Sequence, residues 1–151
     1  MALYYLDTSA LVKLYVREPG TEQVLRLANA KGNQLAILTL AQVEIRSALR
    51  RRERAGEIAS SIVIQLLERF QRHLEAVFLR QLVTEAMFDM ACALVDSHGL
   101  FTFDAVQLAG YLSLKTSSGA NVPTFVSADR QLLQAAEAES VPVFNPCSVL
   151  G

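Results

Sequence analysis

The chain has 151 residues, a size that folds as one domain and buries roughly 68–70% of the surface its unfolded form exposes. A hydrophobic content of 52% and a mean hydropathy of +0.27 exclude intrinsic disorder and fit a densely filled α/β core. With 14 Lys and Arg against 15 Asp and Glu the net charge is −1, which excludes gross cationic attraction to nucleic acid.

Any phosphate-rich partner must therefore be held by a local patch or by a metal. Cys92 and Cys147 stand far apart with no C-x-x-C pair, as expected of inert thiols in a reduced, cytoplasmic protein. Asp7 interrupts the N-terminal apolar run and no basic segment precedes it, so no signal peptide is expected. No uncharged run approaches the ~20 residues of a membrane span, and no membrane partner is expected.

In chain order, Ala2–Leu6 is a short uninterrupted apolar run, predicting a strand buried on both faces. It stops on Asp7-Thr8-Ser9, and a helix is predicted over Ala10–Tyr15. Thr21 is the expected N-cap of a helix ending near Gly32. A second strand is predicted at Leu35–Leu38, then a long helix capped by Thr39 and running to the Arg-rich turn before Gly56. Ile58, Ile62, Leu66 and Phe70 mark another helix. A third strand is predicted at Ala76–Leu79, a helix from Thr84 to Gly99, and one from Thr102 to about Leu114, with Lys115–Gly119 a polar loop. Pro123–Val126 predicts the fourth strand, Ser127–Ala138 a helix, and Val141–Phe144 a last, edge strand. Strands alternating with helices imply right-handed crossovers and one parallel sheet covered on both faces. Without repeats or linkers, residues 1–151 form a single domain.

Four of the 15 acids stand out by position. Asp7 closes the first strand, Glu44 falls early in the helix after the second, Asp104 lies in the first turn of a helix, and Asp129 opens the helix after the fourth strand. A parallel sheet would aim all four at the cleft beyond the strand C-termini, where open α/β sheets bind ligands. Asp104 and Asp129 are also explained by capping and the helix dipole, at about 0.3–1 kcal/mol. A carboxylate closing a buried strand is poorly explained by solubility, and a lone inward Glu44 is costly unless paired. Two unit charges ~4 Å apart repel by about 1 kcal/mol in water and about 4 kcal/mol at an effective dielectric near 20. Clustered, the four take up protons or recruit a cation, and oxygen ligands without Cys or His select Mg2+ or Mn2+. His73 and His98 read as exposed helix-end residues. A hydrated Mg2+ can position and polarise a water and neutralise a phosphodiester in transition, which is nuclease or phosphatase chemistry.

Leu6–Tyr15 resembles the opening of PIN domains, particularly the VapC toxins of bacterial toxin–antitoxin pairs. Val43-Glu44 with Ser47-Ala48-Leu49, Phe103–Ala109, and Phe125–Leu132 extend the likeness in order over essentially the whole chain. The resemblance implies a PIN-like three-layer α/β/α fold whose central parallel sheet has about five strands in the order 3-2-1-4-5. It implies an endoribonuclease dependent on Mg2+ or Mn2+, leaving 3′-hydroxyl and 5′-phosphate ends. Asp7 and Asp104 would be the principal metal ligands, with Asp129 binding directly or through water, and Glu44 completing the site or orienting the attacking water. Ser9 and Ser127 are similar to hydroxyls that support those carboxylates. A homodimer held inactive by an antitoxin protein, with RNA as substrate, is further implied. One departure is Phe101-Thr102-Phe103, where many relatives carry a basic or small polar residue before the acid; it bears on RNA contacts at that rim.

Arg46, Arg50 and Arg51, with Arg52 and Arg54, either hold RNA phosphates beside the cleft or form the solvated cationic end of a helix. The stripe Ile58, Ile62, Leu66 and Phe70 is either core or a groove for a partner. Lys13 either approaches the site or, as expected of a cation on a short helix, belongs to a solvated face. Other function classes weighed are a PIN-like module that binds RNA or a partner with little catalysis, and an aspartyl-phosphate phosphatase. The latter wants a second Asp two residues after Asp7, where Ser9 stands.

Overall fold

The computed structural model describes residues 2–148. Five strands, β1 (Leu3–Leu6), β2 (Gln34–Leu38), β3 (Leu79–Gln81), β4 (Thr124–Val126) and β5 (Val143–Phe144), form one sheet. Every neighbouring pair is parallel, as expected from the alternation of elements, and the order β3-β2-β1-β4-β5 is the one the PIN resemblance implies. The helices are α1 (Thr8–Leu11), α2 (Thr21–Asn29), α3 (Ala41–Arg54), α4 (Ser60–Ala76), α5 (Glu85–His98), α6 (Thr102–Ser118) and α7 (Arg130–Ala138).

The period-2 alternation of the central strands divides the interior into two layers. Leu3, Tyr5, Ala36, Leu38 and Phe125 pack against Met87, Leu94, Leu108, Tyr111 and Leu132 of α5, α6 and α7. Leu6, Leu35, Ile37 and Val126 pack against Leu11, Val24, Ile45, Leu49, Val63 and Leu66 on the opposite face. Each such side chain contributes about 1.5–3 kcal/mol of transfer free energy, which fixes register because a one-residue slip would exchange the two layers.

Several boundaries differ from expectation. The third strand lies at Leu79–Gln81, because α4 continues through buried Leu74 to Ala76 and leaves Val77 exposed. The stretch over Ala10–Tyr15 is a single α-turn followed by the 3-10 turn Val12–Leu14. Thr21 does not cap α2. Gly20, at φ +92°, occupies that position, while the Thr21 hydroxyl accepts from the Glu18 N–H at 3.0 Å. Leu40 and Phe101, not Thr39 and Thr102, precede the first residues of α3 and α6. Lys115–Ser118 is the last turn of α6, with Ser117 and Ser118 hydroxyls bonded to carbonyls three residues back.

Candidate active site

The centre is built where β1 ends. Asp7 keeps extended backbone and occupies the N-cap of α1, its amide extending the β1–β4 ladder through Val126 O at 3.1 Å. Its carboxylate is 4% exposed and accepts three hydrogen bonds. Oδ1 takes the Ser9 hydroxyl at 2.7 Å and the Ala10 N–H at 3.0 Å, and Oδ2 takes the Ser127 hydroxyl at 2.6 Å. The Ser9 oxygen in turn accepts the Ala128 N–H at 2.9 Å, and the Ser127 oxygen accepts the Asp129 N–H at 3.0 Å. Two hydroxyls thus lock the segment after β4 onto the acid after β1.

Burial pushes the Asp7 carboxyl up to about 6 against the pull of these donors, and the charge of Asp104 adds to the rise. Asp104, half-buried in the first turn of α6, is also pushed up to about 6, by burial first and then by Asp129 and Glu44. Asp129 caps α7, its Oδ1 accepting the Leu132 N–H at 3.1 Å. The four sequence-selected acids therefore lie within electrostatic reach of one another, brought from four separate elements.

Glu44 sits in the first turn of α3. Its Oε1 accepts the Thr8 hydroxyl at 2.8 Å and the Gln107 amide at 2.7 Å. Gln107 is 2% exposed, and its Oε1 receives the fully buried Tyr5 hydroxyl at 2.9 Å. The carboxamide thereby links the sheet interior to Glu44. Sequence reasoning assigned no role to Gln107, Thr8 or Tyr5. The available signal was one amide in the apolar run Ala105–Tyr111, a turn beyond Asp104, since a buried amide requires partners.

A cleft of about 360 Å3 opens beside Glu44, lined by Thr8, Leu40, Val43, Ser47, Ala48, Arg51 and Phe103. Glu44, Ser47 and Arg51 share one face of α3 by their i, i+3, i+7 spacing. Arg46 and Arg50 do not join them. They line a separate groove against Ile64, Leu67, Glu68 and Gln71 of α4, and Arg50 pairs with Glu53 at 3.0 Å. Arg52 is drawn to Glu18, which also holds Lys13 at 2.8 Å. Lys13 is 5% exposed, so its expected place on a solvated face is corrected: the ion pair makes its burial tolerable. Val43, beside Glu44, is 67% exposed because the inward positions of α3 are Ala41, Ile45 and Leu49. Neither histidine is fully exposed: His73 meets the Tyr15 hydroxyl at 2.7 Å, and His98 meets Glu139 at 2.9 Å.

Among the described residues, no group of three or more His, Cys, Asp or Glu side chains is arranged to hold a metal by itself. The donor chemistry nevertheless fits a hard divalent ion, being carboxylate oxygens only, with two acids destabilised by burial and mutual repulsion. Mg2+ keeps several waters and takes one or two carboxylates directly, so a closed protein cage is not required.

No curated protein matches the sequence. Among solved structures, PAE2754 from Pyrobaculum aerophilum aligns at 21% identity and TM-score 0.63, covering 96% of this chain and 90% of that one. VapBC2 from Rickettsia felis, bound to a DNA fragment from its promoter, aligns at 14% identity and TM-score 0.64, covering 95% of this chain and 98% of that one. FitAcB from Neisseria gonorrhoeae aligns at 20% identity and TM-score 0.63, covering 99% of this chain and 100% of that one. These likenesses concern the fold. No described helix is long and apolar enough to cross a membrane. The sequence profile of the PIN domain matches residues 4–138, and on that match over most of its length, with the strand order and edge acids described above, the chain belongs to the PIN domain family, whose members are generally nucleases.

Proposed function

We propose that the protein is a Mg2+- or Mn2+-dependent endoribonuclease, the toxin of a toxin–antitoxin pair, with Asp7, Glu44, Asp104 and Asp129 as its acid centre. The observation that carries this reading is the gathering of four acids from the end of β1 and the starts of α3, α6 and α7, close enough that their charges raise the pKa of Asp7 and Asp104. Perturbed acids gathered at a cleft are the usual mark of a functional site.

Asp7 and Asp104 would hold the ion, with Asp129 directly or through water. When bound, a divalent ion supplies a polarised water and offsets the charge developing on a phosphodiester. The chain's own groups supply orientation. Ser9 and Ser127 fix both oxygens of Asp7. Thr8 and Gln107 hold Glu44 Oε1, so this carboxylate is set before substrate arrives and can orient a water. Arg51, in the cleft with Glu44, is placed to meet a backbone phosphate. Arg46 and Arg50 lie in another groove and are assigned no part in the cleavage step.

The fold likeness to VapBC2 and FitAcB supports a protein antitoxin as partner. A homodimer and a cytoplasmic setting belong to the same reading. The test is sequencing of RNA 5′-phosphate ends after brief expression of wild type and of Asp104→Asn. New ends in the wild type that vanish in the variant support the reading; identical ends in both would sink it.

A further inference from the structure

We propose that Lys13, Glu18 and Arg52 form a brace that sets how α3 lies against the segment after β1, and so act as positioning residues for Glu44. This rests on the ribonuclease reading, in which Glu44 orients a water. Glu18 lies in the loop before α2 and holds two cations from different elements. Its Oε1 takes the Lys13 ammonium at 2.8 Å, and its Oε2 takes the Arg52 guanidinium. The Lys13 and Glu18 side chains are only 6% and 16% exposed, so these charges have left water. The backbone is shaped around the lysine. Gly20 has no Cβ where one would stand 3.2 Å from Lys13 Cδ. Among the described residues Lys13 pairs with Glu18 and with none of the four acids of the centre, so it is not their counter-ion.

Helix α3 is tied to the segment after β1 at two points. In its first turn Glu44 accepts the Thr8 hydroxyl at 2.8 Å, and just over two turns later Arg52 reaches Glu18. Between the ties the contact is apolar, through Leu11, Ile45 and Leu49. Apolar packing is non-directional and lets a helix slide or roll. A charge-assisted hydrogen bond fixes both distance and direction. Stability alone does not call for such a triad, since well-packed apolar side chains in place of buried ions often leave a protein as stable or more so. What the ions add is a fixed register, held about 12 Å along α3 from Glu44. Slack there is felt at a carboxylate oxygen that Thr8 and Gln107 share.

The test replaces the triad in the full chain by apolar side chains of similar size, Lys13→Met, Glu18→Leu and Arg52→Met together. Urea unfolding of the metal-free variant is expected at or above the wild-type midpoint. RNA cleavage is expected to lose about 10- to 100-fold in kcat with KM unchanged, the cost of a misplacement of ~1 Å. Arg52→Met alone leaves the Lys13–Glu18 pair in place and loses less, and Arg52→Lys recovers most of that loss. Arg17→Met is the control, because it breaks an exposed pair with Glu22 in the same region, and its kcat stays at the wild-type value. Hydrogen exchange of the metal-free protein gives a readout without RNA. The Glu44 amide, bonded to Leu40 O, is expected to exchange several-fold faster in the triple variant. Wild-type kcat in that variant overturns the proposal, as does a urea midpoint that falls in step with kcat, or a loss confined to KM. Where the triple variant does not fold, Arg52→Met is judged by the same three results. A wild type that cuts no RNA sinks the ribonuclease reading, and the brace then stands or falls with the exchange of the Glu44 amide.

Discussion

The Ser127 hydroxyl donates a 2.6 Å hydrogen bond to the carboxylate of Asp7, a residue 120 positions earlier in the chain. That bond works against the burial that raises the Asp7 pKa. Ser127→Ala should therefore push the Asp7 pKa higher and cost about 1–3 kcal/mol, the usual cost of leaving a buried acceptor unsatisfied. Urea unfolding of the metal-free protein measures it, and a loss below about 0.5 kcal/mol would show that water replaces the hydroxyl at no cost.

The pH dependence of stability follows from the direction of the same shift. The folded-state pKa of Asp7, about 6, lies above the ordinary 3.8, so the folded form binds this proton more tightly than the unfolded form. The resulting stability is fully present below the unfolded value and is lost as pH rises through about 6. For Asp7 the loss at neutral pH amounts to about 3 kcal/mol. Asp104 acts in the same direction, less strongly because solvent screens it. Metal-free protein should melt at a higher temperature near pH ~5 than near pH ~7.5, other carboxylates being common to all variants. Asp7→Asn should flatten this decline and raise the neutral-pH melting temperature while abolishing RNA cleavage. A variant that is both less stable at neutral pH and fully active would contradict both halves.

Divalent ions should reverse that loss. At 100 times its dissociation constant a ligand of the folded state alone stabilises by about 2.7 kcal/mol. A thermal-shift titration with Mn2+ should show this in wild type and not in Asp7→Asn. Equal shifts in both proteins would place the ion elsewhere.

Gln107→Leu removes the donor to Glu44 and the side-chain acceptor of the Tyr5 hydroxyl together, leaving that hydroxyl the Gln107 main-chain carbonyl at 2.9 Å. Turnover should fall about 10- to 100-fold, since an oriented acid becomes a mobile one, with KM little changed. Kinetics with the Tyr5→Phe variant alongside separate the two contacts. A fall in KM-dependent binding alone would show that Gln107 serves the cleft and not Glu44.

Gly110 of α6 faces the same network. A Cβ built there would stand 2.7 Å from the Tyr5 hydroxyl oxygen and 2.8 Å from Leu38 Cδ1. Gly110→Ala should destabilise by about 1–3 kcal/mol through overpacking, outweighing the ~1 kcal/mol that Ala gains in a helix. Chemical denaturation of the variant reads the sign.

What the sequence revealed depended on how strongly each element was marked. The central strands were legible because β1, β2 and β4 are largely apolar runs buried from both sides, while their order came with the PIN resemblance, and Asp7 was legible because it interrupts one such run. β3 was misplaced because Leu79-Arg80-Gln81 is a half-exposed edge without a run to mark it, while Val77 and Phe78 before it look more strand-like. The arginine cluster looked like one patch in the linear chain, yet the helical period sends Arg51 to the cleft and Arg46 and Arg50 to α4. Gln107 was hidden for a different reason. Its partners, Tyr5, Thr8 and Glu44, lie 102, 99 and 63 residues away, and no local pattern announces such contacts.

The placement of β4 against β1 has a consequence for synthesis on the ribosome. Until Thr124–Val126 has emerged, the first strand is an open sheet edge and the carboxylate that ends it lacks its Ser127 donor. A nascent chain therefore cannot assemble this pocket early. Cells making the protein would meet its finished pocket only after translation has passed Ser127.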